Sequence, residues 1–554
     1  MKRLILPVFA GLMAISASAQ KSTATAPNEG VKRPKLVVGI VIDQMRWDYL
    51  YRFNPIFKAN GGFKRLLGQG FSCENTLIPY TPTITACGHT CAYTGSVPAV
   101  HGITGNAWWD NAQMKSIYCS EDKTVKGVGS KSEEDGQMSP RNMLVTSICD
   151  ELRLATNFKS KVIGVALKDR GSILPAGHAA NAAYWYEGKT GNFITSTYYM
   201  NELPAWVNNF NSRKLVDSLY KLNWNLALPK ETYPEYATPL DAKAYESKPF
   251  GKDQLAFPYD LSSYIGKDYS KISSTPWGNT LTVEMAKAAV KAEELGKDAV
   301  TDFLAVSFSS PDYVGHAFGP NSWEQVDDYV RLDADLGRLF DYLDANVGKD
   351  QYTVFLTADH AVAHVPAFMT ENKLPGGRFD ESGAMKEMNA ALKEKFGIRK
   401  AVVSMYNYQV SLNHPGLDSA NADENAVKKW IVQYLKKSPA VANAFATADI
   451  MTVPVNSTMR NMMANGYNPA RSGDVQIVLK SGYLEGSYTA TGTSHGLWYP
   501  YDAHIPLLFY GWGIKKGKTN RETYMTDIAS TVAALLHIQM PSGAVGKVIE
   551  EVMK

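Results

Sequence analysis

Three short apolar runs, each leading into an acidic residue, constrain this chain more than any other feature. Residues 36–42 (LVVGIVI) end at Asp43, residues 303–308 lead to Asp312, and residues 354–357 lead to Asp359. Near-continuous apolar strands suit a parallel sheet buried on both faces. In open α/β sheets, ligands collect beyond the carboxyl ends of the strands. Histidines stand close behind two of these ends: His316 is four residues after Asp312, and His360 is adjacent to Asp359. Strand ends that carry Asp and His form an oxygen and nitrogen donor set for a transition metal, with zinc the expected ion.

Strand patterns alternate with helical ones along much of the chain. This predicts an α/β fold with a mainly parallel sheet sandwiched between helices. A further apolar run, 161–167 (KVIGVAL), ends at Lys168-Asp169-Arg170. Residues 280–295, 323–347 and 526–536 read as helices; in the longest, Val326, Tyr329, Leu332, Leu336, Leu339 and Leu343 recur near helical spacing and pack a core. The catalytic core is expected in three parts, 34–180, 276–364 and 475–554. Between them lie two inserted cap segments, 181–275 and 365–474. The first is rich in Tyr, Trp, Pro and Asn, and the second has helical patterns at 385–396 and 424–437.

Residues 1–19 read as a secretory signal peptide. Lys2 and Arg3 precede an apolar stretch, and Ala17-Ser18-Ala19 is a small-residue cleavage site. The stretch is too short to span a bilayer, so export to the periplasm or beyond is expected, with no membrane partner. Net charge is +3 and no Lys/Arg-rich run is present, so nothing points to nucleic acid. A monomer acting on a small molecule is the expected state. The five cysteines, Cys73, Cys87, Cys91, Cys119 and Cys149, predict at least one disulfide in an exported protein. Cys87 and Cys91 have the spacing of half a zinc site, but no second pair follows.

Thr85 is the candidate nucleophile. A hydroxyl is a poor nucleophile until its pKa is lowered, and a metal ion lowers it. Small residues after Thr85 can start a helix, with Gly95 near its end, and a helix start favours an anion. Capping that helix is the commoner role for a threonine. His495, in the Gly- and Ser-rich GTSHG, is a further candidate ligand. Lys168 and Arg170, two apart on an extended chain, can project the same way; pairing with Asp169 or another neighbour is their simpler role.

Read in order, Asp43, PTITACGHT around Thr85, HGITGN at Asn106, LKDR at Lys168, DYVGH at Asp312, ADH at Asp359 and SHGLW at His495 resemble the alkaline phosphatase superfamily. The chain is most similar to its PafA-type bacterial alkaline phosphatases. The nucleotide pyrophosphatase/phosphodiesterase branch shares the ligand pattern and the threonine. The resemblance runs from about residue 35 to about residue 544, and implies an alkaline phosphatase-like fold with two Zn²⁺. One ion would be held by Asp312, His316 and His495. The other would be held by Asp43, Asp359 and His360, with Thr85 against it as nucleophile. Asn106, Lys168 and Arg170 would contact the phosphoryl oxygens. The implied activity is hydrolysis of phosphate monoesters through a phosphothreonine. One departure is Ala361, where a glycine is expected after the histidine, and it predicts strain in the loop holding Asp359 and His360.

Three rivals follow. A phosphodiesterase would share metals and nucleophile, but Lys168 and Arg170 favour the more highly charged monoester. A sulfatase needs a cysteine or serine in C-x-P-x-R, and none of the five cysteines has that setting. A zinc-bound protein that only captures phosphorylated ligands would not need Thr85.

Overall fold

The wholly apolar runs form the middle of the principal sheet. In the computed structural model, which describes residues 31–554, the strands that matter for the site are β1 (Leu36–Ile42), β2 (Phe71–Leu77), β3 (Val162–Ala166), β4 (Ala182–Glu187), β5 (Asn192–Ser196), β6 (Asp302–Phe308), β7 (Tyr352–Thr357) and β8 (Leu507–Gly511). The predicted signal peptide at 1–19 lies outside the described residues. Pro34–Lys554 fold as one unit.

The centre of the sheet runs β7-β1-β6-β3-β4, and every neighbour there pairs in parallel. Every residue of β1, β3, β6 and β7 is buried, as a sheet covered on both faces requires. Beyond β7 the pairing turns antiparallel, through β8 to β2, and beyond β4 it turns antiparallel at β5. β2 is thereby aligned with the parallel strands, so its carboxyl end reaches the same edge as theirs. His504–Ile505 and β8 both pair with β2; Pro506, which has no N–H to give to a ladder, stands between them. Helices cover the sheet, among them α1 (Thr85–Thr94), α2 (Asp169–Ala176), α3 (Trp277–Ala292), α4 (Ser310–Phe318) and α5 (Trp323–Leu343). The six apolar positions noted in α5 are all buried.

Two expected boundaries differ. Residues assigned to the first insertion begin inside the sheet, since β4 and β5 are two of its strands. β4 reads AAYWYE, a buried strand built from small and aromatic residues, and so lacks the aliphatic run that marks its neighbours. Val475–Leu479, expected to resume the core, belongs instead to a separate four-stranded sheet with Val402–Ser404, Gln409–Leu412 and Val441–Ala446. A short apolar run states that a strand is buried but not which strands bury it. The principal sheet resumes only at His504.

The expected disulfide is absent. All five cysteines are free thiols, and all are buried. Cys87 donates to the Ile103 carbonyl at 3.2 Å, and burial pushes Cys73 and Cys119 up to about 12. They behave as small core residues.

Candidate active site

Four strand ends at one edge of the sheet supply most of the site. Asp43 follows β1, Asp359 and His360 follow β7, Asp312 and His316 sit on α4 just past β6, and Lys168 follows β3. Asp43, Asp312, Asp359, His360, His495, Lys168 and Thr85 are all buried. Ligand atoms of Asp43, Asp359 and His360 lie within 4.8 Å of one another, as do those of Asp312, His360 and His495. His360 thus faces both groups. His316 stands at the margin: its Nε2 is 3.1 Å from Asp312 Oδ1, its ring centre is 5.0 Å from that of His495, and its side chain is 36% exposed.

The three histidines share one arrangement. Nδ1 of His316 is 2.8 Å from the Thr493 carbonyl, Nδ1 of His360 is 3.0 Å from the Ala361 carbonyl, and Nδ1 of His495 is 2.7 Å from the Thr83 carbonyl. A carbonyl only accepts, so each Nδ1 carries a proton, and a ring that is neutral presents its lone pair at Nε2. Those lone pairs face carboxylates: His360 Nε2 is 3.5 Å from Asp43 Oδ1 and 3.4 Å from Asp359 Oδ2, and His495 Nε2 is 3.7 Å from Asp312 Oδ1. Burial lowers the pKa of His360, and burial with the two neighbouring histidines takes His495 well below the usual range. His316 is raised, because the Asp312 carboxylate outweighs its burial. Asp43 Oδ1 and Asp359 Oδ2 are buried without a hydrogen-bond donor. Burial, and the charges of Asp312 and Asp359, hold the Asp43 carboxyl well above the ordinary range. Acceptors converging on acceptors, with orphaned carboxylate oxygens among them, fit divalent cations.

Thr85 opens α1, a helix whose ten residues are all buried, and its Oγ1 is 3.3 Å from His360 Nε2. It does not act as the cap, since Ile84 occupies that position. Asn106 Oδ1 accepts from the Ala86 N–H at 3.0 Å, which ties Asn106 to the same helix start and leaves its amide group to donate. Lys168 Nζ contacts Asp43 Oδ2 at 2.7 Å and Asp312 Oδ2 at 2.5 Å, and lies 5.0 Å above the Tyr313 ring. The expectation that Lys168 and Arg170 share an extended segment fails, because α2 begins at Asp169. Lys168 has extended backbone angles, while Arg170 is the second residue of the helix, yet both side chains line one cavity with Tyr118 and Tyr313. Arg170 Nη1 donates to Tyr118 Oη at 3.0 Å and is 3.9 Å from Asp169.

Three residues that sequence reasoning passed over complete the constellation. Gln44 has φ of 69°, a conformation that costs a non-glycine residue about 1 kcal/mol or more. It donates from its backbone to Asp359 Oδ1 at 3.0 Å and from Nε2 to Asp312 Oδ1 at 2.6 Å, bracing both ligand groups. His89 Nδ1 lies 2.9 Å from the Thr85 carbonyl and 3.3 Å from Asp359 Oδ2, and its Nε2 is 2.7 Å from Ser307 Oγ. Its place four residues after Thr85 on one helix face was a usable signal. Tyr118 is the third. Ala361 has no positive φ; it is buried, and its N–H donates to the Asp502 carbonyl at 2.8 Å. The expected strain after His360 is absent. A third grouping, His414, Glu424 and Asp474, is already paired with Lys428, 2.5 Å from Glu424.

Residues 37–498 match the model of the type I phosphodiesterase / nucleotide pyrophosphatase family. The chain is 52% identical over 557 aligned positions to alkaline phosphatase PhoV of Synechococcus elongatus, covering all of both chains. It is 49% identical over 549 to alkaline phosphatase PafA of Elizabethkingia meningoseptica, covering 98% of each. A crystal structure of wild-type PafA superposes with a TM-score of 0.92 at 49% identity, over 95% of this chain and 100% of that one. The chain belongs to the type I phosphodiesterase / nucleotide pyrophosphatase family, on the branch of the PafA-type alkaline phosphatases.

Proposed function

We propose that this protein is an exported dizinc alkaline phosphatase that hydrolyses phosphate monoesters through a phosphothreonine at Thr85. The observation that carries this reading is the placement of one buried hydroxyl, Thr85 Oγ1, beside the histidine common to both ligand groups. Relatives of about half identity over the whole chain, named as alkaline phosphatases, support it.

Asp43, Asp359 and His360 would hold one ion, and Asp312, His495 and His316 the other. Bound there, the ions would lower the pKa of the Thr85 hydroxyl and stabilise the charge on the departing oxygen. Thr85 Oγ1 gives up its proton and forms the new bond to phosphorus while the bond to the substrate oxygen breaks, and that oxygen takes up a proton as it leaves as the alcohol. Water then attacks the phosphorus, the bond to Thr85 Oγ1 breaks, and inorganic phosphate leaves. The start of α1 directs its dipole at the developing negative charge. Ions held by Asp43 and Asp312 would neutralise the carboxylates that Lys168 contacts here, which would leave its ammonium to the phosphoryl oxygens. Asn106 donates from its amide, and Arg170 from its guanidinium, to the same group.

A monoester dianion carries about two charges on its non-bridging oxygens and a diester about one, so cations at those oxygens favour the monoester. Charge-assisted hydrogen bonds are worth roughly 1.5–3 kcal/mol each, and about 1.4 kcal/mol is tenfold. The Lys168→Ala, Arg170→Ala double variant should lose on the order of 10² to 10⁴ in kcat/KM on an aryl phosphate. It should lose much less on a methyl aryl phosphate diester. Equal losses on both substrates would remove the case for a monoesterase over a phosphodiesterase.

A further inference from the structure

Arg170 reaches the site from the second position of α2, and what aims it is a phenol. Among the described residues its guanidinium makes one side-chain hydrogen bond, from Nη1 to Tyr118 Oη at 3.0 Å. Its Nε is buried without a partner. The adjacent Asp169 is the obvious counter-ion, yet its Oδ1 is 3.9 Å from Nη1, too far for a hydrogen bond. Tyr118 stands between them. Its hydroxyl donates to Asp169 Oδ1 at 2.8 Å and accepts from Arg170. Giving its proton to a carboxylate makes the phenol oxygen a better acceptor for the guanidinium.

Tyr118 is also fixed relative to the nucleophile. It lies on a two-stranded ribbon, Ala107–Asp110 with Lys115–Tyr118, in which Ala107 is opposite Tyr118. The ribbon starts directly after Asn106, and the Cys119 N–H donates to the Asn106 carbonyl at 2.9 Å. Asn106 is in turn held to the start of α1, where Thr85 sits. One short ribbon therefore sets both Asn106 and the anchor of Arg170 against the helix that carries Thr85.

We infer that Tyr118 is a positioning residue: it holds the Arg170 guanidinium off Asp169 and in line with the phosphoryl oxygens. This rests on the role given to Arg170 above. Removing the hydroxyl would let Asp169 and Arg170, neighbours in sequence, close on each other and draw the guanidinium from the site.

The test is a double-mutant cycle of wild type, Tyr118→Phe, Arg170→Ala and the double variant. It is read as kcat/KM on an aryl phosphate and a methyl aryl phosphate, with inhibition by inorganic phosphate as a binding readout. Phenylalanine keeps the ring and removes only the hydroxyl. Tyr118→Phe should lower monoester kcat/KM about tenfold in the wild-type background, as loss of one good hydrogen bond would. It should weaken phosphate inhibition in parallel and change the diester rate less. In the Arg170→Ala background it should change nothing beyond about twofold, because coupled residues are not additive. An equal loss in both backgrounds, or no loss in either, overturns the positioning role while Arg170→Ala still shows its own defect. An Arg170→Ala enzyme with wild-type monoester activity overturns the reading of the site itself. If Tyr118→Phe does not fold, Tyr118→Leu, which also lacks the hydroxyl, carries the same cycle with the same expected and overturning results.

Discussion

At the scale of single residues, the most direct test falls on Thr85. It is buried at the start of α1, and in the proposed mechanism its hydroxyl forms the bond to phosphorus, whereas the proposed ions are held mainly by carboxylates and imidazoles. Thr85→Ala should therefore lose several orders of magnitude in turnover while keeping its melting temperature and metal content. Thr85→Ser, which keeps the oxygen, should retain a large share. A Thr85→Ala enzyme near the wild-type rate would leave Thr85 a structural residue only. Asp43, Asp312, Asp359, His360 and His495 could be found in the sequence because each ends an apolar run or sits in a distinctive short motif. Gln44 and Tyr118 could not be ranked that way. Gln44 matters through a left-handed backbone and two donors, and Tyr118 through a contact 52 positions away with Arg170. Neither conformation nor long-range proximity leaves a periodic mark in one sequence.

At the scale of elements, α1 and the end of β7 are locked together by a glycine. A side-chain carbon at Gly88 would collide with the backbone carbonyl of Asp359, and backbone cannot rotate aside as a flexible side chain can. Gly88→Ala should cost at least the ~1–3 kcal/mol of ordinary overpacking. Because the displaced strand end carries Asp359 and His360, it should also weaken metal retention. Gly68→Ala is the control: it lies in the helix Gly62–Gln69 with nothing within 4 Å of the added carbon, and should be neutral or stabilising by about 0.5–1 kcal/mol. Calorimetry and elemental analysis on the two variants read both effects. If Gly88→Ala melts and binds metal as wild type does, the packing of α1 on β7 does not set the ligand geometry. The same contrast explains which elements were legible. Strands buried on both faces announce themselves by composition, so β1, β3, β6 and β7 could be read directly. The sheet membership of β4 and Val475–Leu479 is not legible in the same way, because it depends on partners, and the aromatic strand β4 carries no aliphatic run.

At the scale of the whole molecule, the fold gathers three carboxylates at one buried edge, with the Lys168 ammonium against two of them, Asp43 and Asp312. Asp43 and Asp359 follow the ends of β1 and β7, and Asp312 sits in the first turn of α4 just past β6, so their mutual repulsion acts on three neighbouring strands together. Ions that bind the folded chain and not the unfolded one stabilise it by mass action, by about 4.1 kcal/mol per site at a thousandfold excess over Kd. Chelation should therefore lower the melting temperature and abolish turnover together, and zinc should restore both. Elemental analysis of the restored protein should give about two zinc ions per chain, the number the two ligand groups support. The two histidines should separate. His360 faces both groups and is fully buried, whereas the carboxylate beside His316 is that of Asp312 and its side chain is partly exposed. His360→Ala should lose most of its bound metal and melt lower. His316→Ala should keep the ion beside Asp43 and Asp359 and lose the one beside Asp312, giving a stoichiometry near one. Full activity in a sample shown to be metal-free would end the dizinc mechanism. Equal metal loss in the two histidine variants would mean that the two groups fill as one coupled site.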